Sequence, residues 1–271
     1  MEKMTAHKRM RVISLLNLKG GVGKTFTVVN MAYELYRRGF KVLLLDNDKQ
    51  GNLSKAYGRY NSEAVAPVTK LLSGNWKYHE DFIGTCNELI RPTDYNGIDI
   101  ISSNMSLFGA VWNLTKEESD SQIWRYKKLM DLPHVNGYYD YCIIDNPPDI
   151  GLNVINALAV TDEVIVPVKI DEDALEGLDI VAEQVEEAET FNNNLFIQGV
   201  LVTVFQGTDG ETAGLEWIEK EGVYDVLGVI RYSKKVSENS FMRKPIYEYS
   251  PCCGAAQDYK RFVTQYTGLE R

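Results

Sequence analysis

Short apolar runs alternate with amphipathic segments along this chain. Continuous hydrophobic runs predict strands that are buried on both faces, and these runs cover residues 12–16, 42–45, 141–144, 164–166, 199–204 and 226–230. Apolar residues recur at helical spacing between 28 and 36, and again, with a heavily acidic outer face, between 174 and 191. The alternation predicts an α/β fold with a mostly parallel, twisted sheet and helices on both faces.

Residues 53–138 do not follow this alternation. They are rich in Tyr, Asn, Ser and Gly, and we predict short helices near 68–72 and 123–130. We expect this region to be an elaboration between two core strands of a single domain over 1–271. Only about ten residues precede the first predicted strand, so we do not expect an N-terminal helix-turn-helix domain.

Composition narrows the class of protein. Of the 271 residues, 44% are hydrophobic and 25% are charged, which is ordinary for a soluble globular protein. No apolar run approaches the roughly 18 residues that a membrane helix needs, so we expect a cytoplasmic protein without stable membrane association. The four cysteines form no C-x-x-C pair, which gives a zinc or iron–sulfur site little support.

The net charge of −9 is distributed unevenly. Residues 139–227 carry 20 acidic and two basic side chains, whereas residues 228–271 carry eight basic and four acidic ones. The acidic total argues against a protein that coats nucleic acid. The basic C-terminal segment is compatible with a local DNA-binding face or with an ordinary solvated surface.

The segment KGGVGKT at residues 19–25 joins the first predicted strand to the first predicted helix. Glycines there allow backbone N–H groups to surround an anion, and the helix N-terminus favours a phosphate. Lys24 can reach the β- and γ-phosphates of a nucleoside triphosphate, and the Thr25 hydroxyl can hold Mg²⁺. The usual pattern G-x-x-x-x-G-K-[ST] is altered, because Leu18 replaces its first glycine and a second lysine, Lys19, follows.

Two acids follow predicted buried strands. Asp46 ends the second strand and Asp145 ends the run 141–144. Ligands of open α/β folds bind at the carboxyl edge of the sheet, where a carboxylate can hold Mg²⁺ directly or through water. Either acid alone could be a helix cap. Together with the phosphate loop, the two acids indicate Mg²⁺-dependent hydrolysis of a nucleotide.

These segments resemble a known family. The loop 19–25 resembles the deviant Walker A motif of the ParA/MinD ATPases, with Lys19 as the signature lysine. Residues 46–52, DNDKQGN, resemble the family motif D-x-D-P-Q-G-N, and residues 139–148 resemble its Walker B segment. Further similar stretches are 152–158, 162–168, 174–178, 229–231 and 244–246. The resemblance implies a P-loop NTPase-like fold and is strongest to ParA-type partition ATPases.

The resemblance implies roles for individual residues. Lys24 would bind the β- and γ-phosphates, Thr25 would ligate Mg²⁺, and Asp145 would hold the Mg²⁺ shell through water. Lys19 would reach across a dimer to the partner's ATP, and Asp46 would orient or activate the attacking water. ATP contacts are expected from Gly20, Gly21, Val22, Gly23, Lys24, Thr25, Phe26 and Arg231. A lysine supplied in trans completes the γ-phosphate site only in the homodimer, so ATP binding would favour dimerisation and hydrolysis would reverse it.

Three residues depart from the family pattern. Phe26 stands where a second threonine is usual, Lys49 replaces a proline and Asn146 replaces a threonine. None of these changes removes a group that hydrolysis requires, and slow turnover suits a switch. Asp48 and Gln50 would transmit the nucleotide state to the dimer face.

ParA-type proteins bind DNA without sequence preference when they are dimeric and ATP-bound, and such binding is sensitive to salt. The resemblance therefore implies ATP-dependent plasmid or chromosome segregation together with a ParB-like centromere-binding protein. It also implies association with the nucleoid in the ATP-bound state. The candidate DNA contacts are Lys234, Lys235, Arg243, Lys244, Lys260 and Arg261.

Three other functions are weighed against this one. A MinD-like membrane-cycling ATPase needs a basic amphipathic C-terminal helix, but residues 259–271 are short, broken by Gly268 and poor in basic groups. A reductase-type relative with a subunit-bridging iron–sulfur cluster lacks suitably placed cysteines. A non-enzymatic ATP-binding scaffold would show no turnover, so Asp46→Ala would trap an ATP-bound dimer only in a hydrolase.

Overall fold

An eight-stranded sheet forms the centre of the molecule. The computed structural model describes residues 9–117, 120–171 and 174–268, and all of their side chains except those of 120, 174–176 and 240–242. The strands are β1 (Arg11–Leu15), β2 (Val42–Asp46), β3 (Arg91–Pro92), β4 (Ile98–Ile101), β5 (Tyr141–Asp145), β6 (Glu163–Val168), β7 (Phe196–Phe205) and β8 (Val226–Arg231). Their order is β3-β4-β2-β5-β1-β6-β7-β8, and every pairing of these described strands is parallel except β3 with β4. The predicted fold class is confirmed.

Helices connect the strands and lie on both faces of the sheet. The first six are α1 (Lys24–Arg37), α2 (Asn52–Ala56), α3 (Pro67–Ser73), α4 (Phe82–Glu88), α5 (Ser106–Leu114) and α6 (Lys127–Met130). The others are α7 (Pro133–Asn136), α8 (Leu152–Leu158), α9 (Ala174–Glu189), α10 (Asp209–Glu221), α11 (Lys234–Met242), α12 (Ile246–Tyr249) and α13 (Gly254–Thr267). A 3₁₀ turn covers Asp120–Trp124. The predicted helices near 68–72, 123–130 and 174–191 therefore correspond to α3, to the 3₁₀ turn with α6, and to α9.

Alternate residues of the central strands enter cores on opposite faces of the sheet. In β2, Val42 and Leu44 join the core beneath α1 and α13, whereas Leu43 and Leu45 join the core beneath α3, α5 and α6. A third core lies between β6, β7 and the helices α8 and α9. Every residue of β2, β5 and β6 is buried, as the continuous apolar runs predict. Burial of each of these leucine side chains contributes about 1.5–3 kcal/mol to the free energy of folding.

The elaboration at 53–138 contributes two strands that the sequence pattern does not reveal. Strand β4 pairs in parallel with β2, so that Ile98 lies opposite Val42. Its sequence, IDII, is short and contains Asp99, whose carboxylate accepts a hydrogen bond from the Tyr139 hydroxyl at 2.7 Å. The hydrogen-bond donor that compensates for the burial of Asp99 thus lies 40 residues later in the chain. The single domain over 1–271, without a helix-turn-helix domain before it, stays a prediction, and residues 1–8 lie outside those described.

Candidate nucleotide-binding site

Three adjacent strands bring the predicted motifs together. Strands β2, β5 and β1 are neighbours in the sheet, and all three point their carboxyl ends to the same edge. Asp46 lies opposite Asp145 in register, and Asp145 in turn lies opposite Leu15, the last residue of β1. The phosphate loop and both strand-end acids therefore meet at one place, as expected for an open α/β sheet.

The phosphate loop depends on two glycines with left-handed backbone conformations. Gly21 has φ 77° and Gly23, the residue before α1, has φ 82°. Side-chain-bearing residues rarely adopt these angles, so the two positions require glycine. The loop leads into the N-terminus of a 14-residue helix, which is a favourable place for phosphate.

A cavity of about 530 Å³, here called the phosphate cavity, opens beside this loop. It is lined by Gly20, Gly21, Gly23, Lys24, Thr25, Phe26, Asp48, Lys49, Gln50, Asn52, Asn146, Pro148 and Asp149. Among the residues predicted to contact nucleotide, Val22 is not part of this wall. Its side chain is buried, and its carbonyl accepts a hydrogen bond from the Thr203 hydroxyl at 2.8 Å.

Lys24 lies folded into the loop. Only 8% of the residue is exposed, and its ammonium donates to the carbonyls of Asn17 at 2.8 Å and Lys19 at 3.1 Å. Burial lowers the pKa of Lys24, and the nearby carboxylates of Asp145 and Asp48 oppose this change. The ammonium is therefore held inside the loop by neutral carbonyls, which charged phosphate oxygens can replace as stronger acceptors.

Asp145 carries a buried carboxylate that forms no hydrogen bond of ordinary geometry within the described part of the chain, although the Thr25 hydroxyl lies close enough to lower its pKa. Neither of its oxygens has a hydrogen-bond partner among the described residues, although the side chain is almost fully buried. Burial raises the pKa of Asp145 well above its usual range, the Asp46 carboxylate adds to the increase, and Thr25 and Lys24 offset part of it. Such a group lacks a cation, and a hydrated Mg²⁺ held by the Thr25 hydroxyl fits this requirement.

Asp46 has different surroundings from those predicted. It is fully buried, and its Oδ2 accepts hydrogen bonds from the Ser54 N–H at 2.7 Å and the Ser54 hydroxyl at 2.6 Å. Its other oxygen accepts from the Asp48 N–H at 3.3 Å. Burial raises the pKa of Asp46 to about 7. Asp46 therefore fastens the start of α2 beneath the phosphate cavity and does not lie on its wall.

Asp48, unlike Asp46, lines the phosphate cavity. Its Oδ1 accepts a hydrogen bond from the Gln50 N–H at 2.9 Å, which fixes the carboxylate within the loop after β2. Next to it, the Lys49 ammonium pairs with Asp149 at 3.0 Å. The lysine that replaces the usual proline thus links the loops after β2 and β5 across the cavity mouth.

A buried amide network joins the three strand ends, and the sequence patterns do not predict it. The Asn47 amide donates to Asn146 Oδ1 at 2.8 Å, and Asn146 donates to the carbonyl of Leu15 at 3.2 Å. The hydroxyl of Tyr126, fully buried, donates to Asn47 Oδ1 at 2.6 Å. Asn146, which replaces a usual threonine, therefore ties β5 to β1 and β2. Its position directly after Asp145 was the available sequence signal.

A second cavity of about 270 Å³ lies on the other side of Phe26 and is here called the outer cavity. Both cavities are lined by Gly21, Gly23 and Phe26, and the outer one also by Arg231 and Val204. The Phe26 ring packs against Tyr259 at a centroid distance of 5.8 Å, which gives this unusual residue a structural role. Val204 has φ 56°, a strained conformation for a β-branched residue, at an irregularity in the pairing of β7 with β8.

Arg231 is not directed at the phosphate loop. Its guanidinium forms a two-point ion pair with Asp258 on α13, with N–O distances of 2.8 and 2.9 Å. It borders the outer cavity from the end of β8.

The six candidate DNA contacts are all exposed. They lie at the start of α11 (Lys234, Lys235), at its end (Arg243, Lys244) and on α13 (Lys260, Arg261). Lys235 pairs with Glu238 at 2.7 Å and Arg261 approaches Asp258 at 3.6 Å. Surface pairs of this kind are weak and leave cations available to phosphates.

Comparison with known proteins identifies the family. A family model described as an AAA domain matches residues 10–197. The chromosome partitioning protein ParA of Caulobacter vibrioides is 30% identical over 270 residues, which cover 97% of this chain and 96% of that protein. This chain belongs to the ParA-type partition ATPases. The Soj protein of Bacillus subtilis, named a sporulation initiation inhibitor, is 34% identical to this ParA-type chain, with 92% and 95% of the two chains covered.

A solved structure shares the fold of this ParA-type chain. The structure of cobyrinic acid a,c-diamide synthase from Mycobacterium smegmatis, with an ATP analogue and magnesium, has a TM-score of 0.77 and 25% identity. The alignment covers 96% of this chain and 97% of that one. This chain therefore shares its overall fold with a protein whose structure contains an ATP analogue and magnesium.

Proposed function

We propose that this chain is a Mg²⁺-dependent ATPase of DNA segregation. Its ATP-bound form is a sandwich dimer that binds nonspecific DNA, and hydrolysis, stimulated by a ParB-like centromere-binding protein, releases it. The observation that carries the proposal is the buried Asp145 carboxylate, which interacts with Thr25 and Lys24, and these two residues line the cavity at the phosphate loop. A triphosphate with its magnesium ion satisfies all of these groups at once.

The phosphate cavity supplies the binding groups. Gly20, Gly21 and Gly23 present N–H groups to the phosphates, and Lys24 moves from the loop carbonyls to the β- and γ-phosphates. Thr25 would hold Mg²⁺ directly, and Asp145 would hold it through water. When bound, Mg²⁺ neutralises the charge that develops on the transferred phosphoryl group.

We assign orientation of the attacking water to Asp48 in place of Asp46. Asp48 lines the phosphate cavity, whereas Asp46 is fully buried and accepts hydrogen bonds from Ser54. A base or water-orienting group needs hydrogen-bond reach to the water that it positions. Asp48 has that access from the cavity wall.

The outer cavity suits the nucleoside end of ATP. It continues from the phosphate cavity past Gly21, Gly23 and Phe26, so a nucleotide whose phosphates occupy the loop extends into it. Phe26 offers an apolar aromatic surface, and Arg231 lies at the rim. The loss of a threonine hydroxyl at position 26 is thus accompanied by an added aromatic contact.

An exposed apolar stripe supports a dimer at this edge of the molecule. Met105, Phe108 and Trp112, at the start and along the outer side of α5, are 56%, 58% and 60% exposed. Phe108 borders a small cavity together with Lys49 and Asp149, which also line the phosphate cavity. A second copy of the chain that receives Lys19 at this edge would cover the apolar stripe formed by Met105, Phe108 and Trp112. Monomers seldom expose large apolar patches.

The membrane-cycling alternative receives less support. The apolar residues of α13, among them Phe262 and Val263, are buried in the core beneath α1, so they are not available to a bilayer. Residues 269–271 of the predicted C-terminal segment lie outside those described. Within 9–117, 120–171 and 174–268, no helix has the length and apolar character needed to cross a membrane.

One experiment tests the proposed cycle. We would measure retention on nonspecific DNA with ATP, with ADP and without nucleotide, for the wild type, Lys19→Ala and the control Lys128→Ala, an exposed lysine on α6. The wild type and the control should be retained with ATP only, and Lys19→Ala should be retained in no state. Equal retention in all nucleotide states would refute the switch.

A further inference from the structure

The signature lysine is held inside its own subunit. The Lys19 ammonium lies 2.6 Å from Oδ1 of Asp171, which follows β6. We propose that Asp171 is a positioning residue that keeps Lys19 away from a partner copy until nucleotide occupies the phosphate loop. The inference rests on the proposed ATP-driven dimer.

Lys19 is fixed along its whole length. Its N–H donates to Asn17 Oδ1 at 2.8 Å, its carbonyl accepts from the Lys24 ammonium at 3.1 Å, and its own ammonium pairs with Asp171. Asn17 is itself anchored, because its amide donates to the carbonyl of Pro167 at 2.8 Å. In this arrangement the Lys19 side chain is directed at the end of β6 and does not line the phosphate cavity.

Nucleotide binding acts on one of these contacts directly. The buried Lys24 ammonium holds the carbonyls of Asn17 and Lys19. Phosphate oxygens are charged acceptors, and hydrogen bonds to them are stronger than those to neutral carbonyls. When Lys24 turns to the phosphates, the Lys19 backbone loses a contact, and the ion pair with Asp171 becomes a restraint that the dimer must break.

The solvent exposure of the Lys19–Asp171 ion pair determines how strongly its loss should change the dimer dissociation constant. The side chains of Lys19 and Asp171 are 33% and 31% exposed, so the pair belongs to the modest class of partly solvated ion pairs. Loss of such a pair changes an equilibrium by roughly two- to fivefold. Each dimer releases two lysines, so the dimer dissociation constant of Asp171→Asn should fall by the square of this factor, about four- to 25-fold.

The test compares the dimer dissociation constants of five full-length proteins at saturating ATP by analytical ultracentrifugation. They are the wild type, Asp171→Asn, Lys19→Ala, the double variant Lys19→Ala/Asp171→Asn, and the control Asp131→Asn. The control removes an exposed Lys–Asp pair, with Lys127 at 2.8 Å, far along the chain from the loop. Asp171→Asn should tighten the dimer and the control should not change it. Lys19→Ala should form no measurable dimer, whether or not Asp171→Asn is also present.

The outcomes separate the two levels of the proposal. If the wild type forms no dimer with ATP, the proposed function and this inference both fail. If the wild type dimerises but Asp171→Asn leaves the constant unchanged or weakens the dimer, only the role of Asp171 is overturned. A second measurement addresses the nucleotide-free monomer: amine-reactive labelling of Lys19, read by mass spectrometry, should increase in Asp171→Asn. Unchanged labelling would also overturn the inference.

Discussion

Replacement of Asp48 by asparagine should stop ATP turnover and leave the fold intact. The Asp48 carboxylate lines the phosphate cavity, and its Oδ1 accepts from the Gln50 N–H at 2.9 Å. Asparagine keeps an oxygen for this bond, so the loop retains its shape, but it loses the charge and basicity that orient a water. Removal of such a group lowers turnover by about 10²- to 10⁴-fold, which corresponds to about 3–5 kcal/mol of activation free energy.

Replacement of Asp46, two residues earlier, by alanine should affect stability. Asp46 is fully buried and accepts hydrogen bonds from the N–H and hydroxyl of Ser54. Asp46→Ala leaves a buried N–H without an acceptor, and a loss of this kind costs about 1–3 kcal/mol of unfolding free energy. The two substitutions therefore separate a carboxylate of the cavity wall from a buried carboxylate that is not part of that wall.

Two assays distinguish the residues. Single-turnover hydrolysis of ATP measures the chemical step, and chemical denaturation without nucleotide measures the free energy of unfolding. We expect Asp48→Asn to lose hydrolysis, keep the wild-type unfolding free energy and accumulate an ATP-bound dimer. We expect Asp46→Ala to lose stability. If Asp46→Ala abolished hydrolysis at full stability and Asp48→Asn hydrolysed ATP normally, the assignment of the water to Asp48 would be wrong.

Three further outcomes follow from the structure. Burial raises the pKa of Asp46 to about 7 and that of Asp145 well above its usual range, so the folded nucleotide-free protein binds more protons than the unfolded chain above about pH 4. Its free energy of unfolding, measured with urea, should fall as the pH rises from 4 to 7, by at most about 1.4 kcal/mol per pH unit for each carboxyl. Trp112→Ser should weaken the ATP-dependent dimer about tenfold or more by ultracentrifugation, with unchanged nucleotide affinity and stability. Lys244→Ala and Lys260→Ala should each reduce the slope of log affinity against log salt by about 0.9 if the lysine contacts a DNA phosphate, whereas an unchanged slope would remove that lysine from the interface.

The fold could be predicted where local pattern and environment agree. Strand β2 is a continuous apolar run because both of its faces are buried, and β5 repeats this form. Strand β4 was missed because a charged residue, Asp99, interrupts a run of only four residues. Its burial depends on Tyr139, a partner that no local pattern identifies.

The sequence motifs predicted where the site residues lie, but they did not predict the role of each residue. Spacing placed Asp46, Asp48 and Asp145 at one sheet edge, and the structure brings them there. Which carboxylate faces the cavity depends on Ser54, whose hydrogen bonds to Asp46 arise only when α2 begins beneath the loop. The position of Lys19 likewise depends on Asp171, 152 residues later in the chain.

The cavity wall and the exposed stripe on α5 are connected by short hydrogen bonds. The Ser54 hydroxyl donates to Asp46 at 2.6 Å and accepts from the Ser103 N–H at 2.8 Å, three residues before α5 begins. Asp46 also holds the N–H of Asp48. The loop that bears Asp48 and the helix that bears Phe108 are therefore attached to the same buried group. Hydrogen bonds from Ser54 and Asp48 offset part of the cost of burying the Asp46 carboxylate. Because Asp46 fixes both parts, a displacement of the loop is resisted at Asp46 or transmitted to α5.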